Sequence, residues 1–518
     1  MLYLAFIYHM HQPSYKNLLT SETELPWVRL HGVKDYVDMV QILEKYPSIH
    51  QTFNLVPSLL EQVEDYTNRT VKDKFLELSY KPARELTQVD KDFILERFFS
   101  INKDTCIVAF PRYYQLCCNK RDKKEFNTQD YLDLQAWFNL AWIDPSFRES
   151  IPELKAIVAK GRFFTEEEKR LVLDKQLEIL EEIFPVYRKF ADSGQVEFTV
   201  SPYYHPILPL LYSTMQAREA NPKSFLPTRE FAYPKDAEYQ VNDAVKYYKE
   251  KLGRPAVGMW PSEESVCEEI LPMLIKSGIK WIVTDEGMLF KSLKLTKRNA
   301  RLLYQPHKLV RKEGEISIIF RDRNLSDLIG FVYQRLTPKQ AVNDFMGHLE
   351  NIAKAFKNQD ILVPIAMDGE NAWEYFANDG HDFLNELYGR LSEAKFLKTT
   401  TVTDYLQKFP PKYNIKRLAA GSWIFSDFGK WIGNPYKNKA WEHLAEAREV
   451  LESLKDSPEI NLELAWKQMH VLEGSDWFWW FGEDPNGDFD KLFRMHMANL
   501  YTILKKEIPP YLSKPITP

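Results

Sequence analysis

The sequence predicts an α/β fold built as a parallel barrel one strand short of eight, with helical additions. Three observations predict it. Seven short apolar runs end abruptly in polar, chemically capable residues. Amphipathic stretches of helical period separate many of these runs. Two long regions break the alternation and read as helix throughout. Continuous apolar runs of strand length suit strands buried on both faces. Strands alternating with helices imply a parallel sheet. A chain of 518 residues leaves room for two or three units around a large core.

The runs, in order, are Leu2 to Tyr8, Thr52 to Val56, Val196 to Val200, Val257 to Trp260, Ile279 to Val283, Ile316 to Phe320 and Ile361 to Met367. Asp35 to Tyr46 and Ser262 to Ser277 are examples of the amphipathic stretches between them. In a parallel barrel the chemistry sits where strands end, so the polar residues that close each run are the first candidates for a site. Residues from about 57 to 193 form a helical insertion. Its clearest piece opens on Thr165 with Glu168 three residues on, a capping box. Leu173, Leu177, Leu180, Phe184 and Tyr187 then follow at helical spacing, and Pro185 should kink the helix. The barrel is expected over 1–409. A helical C-terminal domain is expected over 410–518, with segments at Ala440–Leu454, Leu462–Leu472 and Phe489–Glu507.

Composition narrows the function. A formal net charge of −5 gives no electrostatic footprint for nucleic acid, and a neutral or weakly charged small substrate fits better. Four cysteines in no metal or redox spacing point to a reducing, cytoplasmic setting. The start, MLYLAFIYHMHQP, lacks the basic opening and cleavage site of a leader and is too short to span a membrane, so it reads as the first core strand. The 13 Trp, 27 Tyr and 32 Phe suit sugar rings, which have apolar faces and polar rims, though a large core uses aromatics too.

Five segments carry candidate chemistry: His9-Met10-His11-Gln12-Pro13; Gly194 to Thr199 leading into Pro202-Tyr203-Tyr204-His205; Trp260-Pro261-Ser262-Glu263-Glu264; Asp368-Gly369-Glu370-Asn371-Ala372-Trp373-Glu374; and Gly474-Ser475-Asp476-Trp477-Phe478-Trp479-Trp480. Glu263 and Asp368 both follow apolar runs, which places a carboxyl group at each of two strand ends. Retaining glycoside hydrolysis needs two such groups, one ionised to attack and one protonated to assist departure. Acidic residues after strands also simply cap helices.

In order and spacing, the five segments resemble the conserved regions of glycoside hydrolase family 57, in its α-amylase and amylopullulanase branch. The resemblance covers residues 1 to about 490. It implies a distorted (β/α)7 barrel, a helical C-terminal domain that helps form the site, and a retaining mechanism on α-1,4 glucans, with α-1,6 links as a second target. It implies Glu263 as nucleophile, with Glu264 the lesser candidate, and Asp368 as acid/base. His11, His205, Trp260, Trp373, Asp476 and Trp477 are implied substrate contacts. No metal or other cofactor is implied. The expected partner is a starch- or glycogen-type polysaccharide or oligosaccharide, with neither nucleic acid nor membrane.

Other readings stand beside this one. A 4-α-glucanotransferase or branching enzyme uses the same carboxylate pair. A metal-dependent sugar deacetylase or mannosidase would bind zinc through His9 and His11, which share one face of a strand, with His205 or Asp368 added. A non-catalytic glycan-binding module would need neither carboxylate. Glu197 is the acidic residue of the family's second region, and a strand position there can also face the core. Arg321, Asp322 and Asp327 read either as orienters of a catalytic carboxylate or as structural ion pairs. Trp373, Tyr375, Trp423, Trp431, Trp479 and Trp480 are candidate stacking platforms.

Overall fold

The computed structural model describes residues 1–370, 372–484 and 486–517. Each of the seven apolar runs forms a strand: β1 (Leu2–Met10), β2 (Gln51–Leu55), β3 (Val196–Val200), β4 (Gly258–Met259), β5 (Trp281–Asp285), β6 (Gly314–Arg321) and β7 (Ile361–Asp368). They pair in parallel in the order β7-β1-β2-β3-β4-β5-β6. The two ends of that order meet where Asp322 N donates to Pro364 O (2.8 Å) and Arg321 Nη1 donates to Ala366 O (3.1 Å). The result is a distorted (β/α)7 barrel. A strand at His307–Arg311 lies antiparallel on β6.

The strand period explains how this barrel makes a site. Alternate residues share a face. Tyr3, Ala5 and Ile7 of β1 pack inside the barrel with Trp281, Val283, Ile319, Leu362 and Ala366. Val402 and Tyr405, from the helix Val402–Lys408, join the same cluster and plug the N-terminal end. Continue each inward series by two residues and it becomes polar: Ile7 leads to His9, Val283 to Asp285, Ile319 to Arg321, Ala366 to Asp368. Apolar layers therefore support a polar layer at the C-terminal mouth. Glu197 sits low on β3, half-buried, and accepts from Thr403 N (3.1 Å) and Thr52 Oγ1 (3.3 Å). It fastens the plug.

Between β2 and β3 the chain is helical from Pro57–Thr67 to Ile183–Asp192, apart from a two-residue strand at Lys72–Asp73. Thr165 and Glu168 make the capping box of the helix Glu166–Glu181. That helix ends before Pro185, whose missing N–H leaves the Glu181 carbonyl without its donor. Helices Pro435–Ser453, Leu462–Leu472 and Asp488–Ile503 follow the barrel.

Two local expectations need correction. The strand Val257 to Trp260 pairs only at Gly258–Met259. Gly258 is required there, since a Cβ would meet the Trp281 ring at 2.1 Å. The stretch Ser262 to Ser277 is not one helix. It is a 3-10 turn at Ser262–Glu264, a second at Glu268–Ile270 and a short helix at Leu271–Lys276. Glu263 (φ 57°) and Glu264 (φ 50°) are both left-handed, which no α-helix admits. Among the described residues no helix is long and apolar enough to cross a membrane.

Candidate functional site

The C-terminal mouth of the barrel opens into a cleft of about 720 Å³. Glu263, Asp368, His9, His11, His205 and Asp476 all line it. Four strand ends and one C-terminal segment thus converge on one space.

Glu263 reaches the cleft through its left-handed turn. The turn is stapled to the segment after the barrel: Val266 and Gly421 exchange backbone hydrogen bonds (2.8 and 3.0 Å), and Trp423 N donates to Glu263 O. The Trp423 indole Nε1 donates to Glu263 Oε2 at 2.8 Å. Burial pushes the Glu263 pKa up to about 8, and the nearby Asp368 charge pushes the same way. The indole donor and Lys430 act in the opposite direction. Glu264 points away from the cleft, is fully buried, and neither of its oxygens has a hydrogen bond. Burial raises its pKa well above the carboxylate range, against the Arg321 charge.

The histidines form a stack. His9 lies flat on Trp260 (4.9 Å between ring centres) and on His205 (4.9 Å), and His11 stacks on His205 at 4.0 Å. His9 donates from Nδ1 to Asn54 Oδ1 (2.6 Å), and Asn54 in turn donates to Thr199 Oγ1 (2.9 Å). Burial lowers the His9 pKa to about 3. Burial also lowers that of His205 well below its ordinary value. Both rings are therefore neutral. His11 donates from Nε2 to Asp476 Oδ1 at 2.9 Å. His205 Nδ1 pairs with Ser475 Oγ at 3.0 Å, and Ser475 N donates to His205 O. Gly474 makes this docking feasible, because a Cβ there would lie 2.9 Å from Tyr204 O.

His11, His205 and Asp476 offer ligand atoms within 4.8 Å of one another, a composition that could hold a metal. Their orientation does not suit one. Imidazole lone pairs lie in the ring plane, and the two rings stack with planes only 26° apart, so the lone pairs run side by side and do not converge.

Glu370, two residues after Asp368, also lines the cleft. One of its oxygens accepts from His11 N (3.1 Å), Gln12 Nε2 (3.3 Å) and Tyr36 OH (3.4 Å). Its other oxygen has no partner. Burial, then the Asp368 charge, raises its pKa well above the carboxylate range. Asn371 of the same motif lies outside the described residues.

Three tryptophans expected to touch substrate lie elsewhere. Trp260 is buried behind His9, Trp373 donates to Gly369 O (2.7 Å), and Trp477 donates to Val471 O (3.0 Å); all three are core side chains. Of the other candidate platforms, Trp431 is fully buried, while Tyr375, Trp423, Trp479 and Trp480 line the cleft. Trp27 and Trp142 line it as well. No local pattern marks them, since the insertion's tertiary packing brings them there. Arg321 binds Asp285 (3.1 Å) and Asp327 (2.8 Å), and lies 5.1 Å from the Trp423 ring centre. Asp322 caps Leu325 N (3.0 Å) and accepts from Arg298 (2.8 Å) and Tyr304 (2.6 Å).

Residues 5–417 match the sequence profile described as Glycosyl hydrolase family 57. The chain belongs to this family. It is similar to an α-amylase of Pyrococcus abyssi, 26% identical over 247 residues, which is 46% of this chain and 32% of the amylase. A 4-α-glucanotransferase of Thermococcus litoralis is 25% identical over 247 residues, again 46% of this chain and 32% of the relative. The chain thus matches about a third of the length of these relatives. A branching enzyme of family 57 from Pyrococcus horikoshii shares the fold, with 17% identity, a TM-score of 0.62, and coverage of 97% of this chain and 89% of that one.

Proposed function

We propose that this family 57 chain is a retaining α-glucan hydrolase, with Glu263 as nucleophile and Asp368 as acid/base. One observation carries the reading. Two carboxyl groups from different strand ends line a single cleft whose other polar residues have unused hydrogen-bonding capacity. His11 Nδ1, His205 Nε2 and one Glu370 oxygen are buried and unpaired. Each such atom costs about 1–3 kcal/mol. A ligand rich in hydroxyl groups repays that cost, and the burial that favours the neutral forms of His205 and Glu370 suits an uncharged one. The named activities of the relatives, α-amylase and 4-α-glucanotransferase, support an α-glucan.

In the first step Glu263 attacks the anomeric carbon while Asp368 protonates the departing oxygen; in the second Asp368 takes a proton from water, which displaces Glu263. The Trp423 donor favours the ionised form of Glu263 that the first step needs. Asp476 orients His11, so the C-terminal part, proposed to begin at about residue 410, completes the sugar site. The four cysteines are free thiols and suit a reducing, cytoplasmic setting. The test is the anomer released from a maltooligosaccharide, followed by NMR before mutarotation. The α-anomer is expected first, and an initial β-anomer would remove the double displacement.

A further inference from the structure

Glu374 closes the sequence segment that opens on Asp368, and it lines the cleft, yet neither proposed catalytic step uses it. Its own backbone gives it little support. It sits in the three-residue 3-10 turn Trp373–Tyr375, and Asn378 and Asp379 just beyond are left-handed (φ 50° and 56°). Short 3-10 turns make poor hydrogen bonds, and left-handed backbone is costly for residues other than glycine. Such a loop keeps one shape only when other parts of the chain hold it.

The parts that hold it lie far away in sequence. Asn102 of the helical insertion caps the π-helical turn Lys103–Ile107, and together they form a strap across the loop. Asn102 N donates to Glu374 Oε1, and Thr105 Oγ1 donates to Glu374 O (2.6 Å). Asn102 Oδ1 accepts from Asp104 N (3.0 Å) and Thr105 N (3.2 Å), which fixes the spacing of the two ties. Toward the barrel, the buried Trp373 donates from Nε1 to Gly369 O (2.7 Å). Gly369 N donates in turn to His9 O (2.7 Å). Gly380 packs so closely on Trp373 that a Cβ there would lie 2.7 Å from the indole. From the strap to Glu374, Trp373, Gly369 and Asp368, every link is a hydrogen bond or a chain neighbour.

We propose, resting on the catalytic roles given above, that Glu374 is a positioning residue that lets the insertion's strap set the place of Asp368. Asp368 must lie within hydrogen-bond reach of the departing oxygen to protonate it. A misplacement of about 1 Å costs roughly a hundredfold in rate. Among the described residues of the strap, Asn102 lines the cleft and Thr105 does not. Thr105 therefore acts on the reaction only through Glu374 and the strap.

The test measures kcat/KM of the full chain on two substrates. Maltotriose has a leaving group that needs the proton; α-maltosyl fluoride has one that hardly does. Glu374→Ala should lower the value on maltotriose roughly tenfold to a hundredfold and leave that on the fluoride near wild type. Glu374→Gln keeps an oxygen for Asn102 N and should restore most of the loss. Thr105→Val removes one strap hydroxyl and should show the same imbalance at a smaller size. Equal losses on both substrates in Glu374→Ala would make it a substrate contact or a fold residue and overturn the proposal. So would a Thr105→Val that shows no imbalance. Asp368→Ala separates the two levels of the reading. Imbalance in Asp368→Ala alone sinks this inference and leaves the acid/base standing. No imbalance even there sinks the acid/base assignment, and this inference with it.

Discussion

Glu263 and Glu264 are neighbours with the same chemistry and opposite fates. Two successive left-handed residues cost roughly 1–2 kcal/mol each, and the turn they make sends one carboxyl into the cleft and the other beneath it. Glu264 is shut from water without a hydrogen bond, and burial keeps it neutral. A glutamine there loses no charge. We expect Glu264→Gln to retain activity within about an order of magnitude, since a neutral-for-neutral swap leaves only local packing to adjust. Glu263→Ala should lose several orders of magnitude of activity on starch. Azide should then enter the vacated space and yield a β-glycosyl azide, because only one displacement has taken place. An active Glu263→Ala beside a dead Glu264→Gln would reverse the two roles.

At the scale of elements, the strands were legible because a buried parallel strand needs an unbroken apolar run, and the residue that ends each run is visible. The inward parity that links Ile7 to His9 and Ala366 to Asp368 is also written in the sequence. The turn at Glu263 was not legible: its amphipathic spacing matches a helix, and only the pairing of Val266 with Gly421, far along the chain, selects the turn. Nor was the side a tryptophan faces. Trp260, Trp373 and Trp477 stand next to site residues in sequence and behind them in space, whereas Trp423, outside the five motif segments, donates directly to Glu263. That donor has a measurable consequence. Trp423→Phe keeps the ring and removes the N–H, so the ionised form of Glu263 loses support and its pKa rises further. The acidic limb of kcat/KM, which follows ionisation of the nucleophile in the free enzyme, should move up by roughly one pH unit or more. An unmoved limb would show that Glu263 is not the group that titrates.

Across the whole molecule, the barrel and the C-terminal helices are joined by a buried charge cluster behind the site. Asp236, on the helix Pro234–Leu252, pairs with Arg448 (2.7 and 3.2 Å), which belongs to Pro435–Ser453. Glu473 closes the helix Leu462–Leu472 and accepts from Gln240 (2.8 Å) and His470 (3.0 Å). It stands one residue before Gly474-Ser475-Asp476, so the cluster anchors the segment that reaches the cleft. Burial, then the Glu473 charge, lifts the Asp236 pKa to about 7. Burial alone lifts Glu473 to about 7, against its hydrogen bonds to Gln240 and Asp236. Both values lie above those of the unfolded chain, so the folded state binds more protons. The contribution of these two carboxyl groups is complete below about pH 4 and is lost as pH rises to about 7, at about 1.4 kcal/mol per pH unit for each proton held; His470, lowered to about 4 by burial, acts in the opposite direction. Glu473→Gln removes one titrating group and the charge that helps lift Asp236, leaving Asp236 free to ionise against Arg448. The melting temperature of the wild type should therefore fall more steeply between about pH 5 and about pH 7 than that of Glu473→Gln. Calorimetry of the two proteins in matched buffers reads the difference, and parallel curves would mean that the cluster holds no proton in this range.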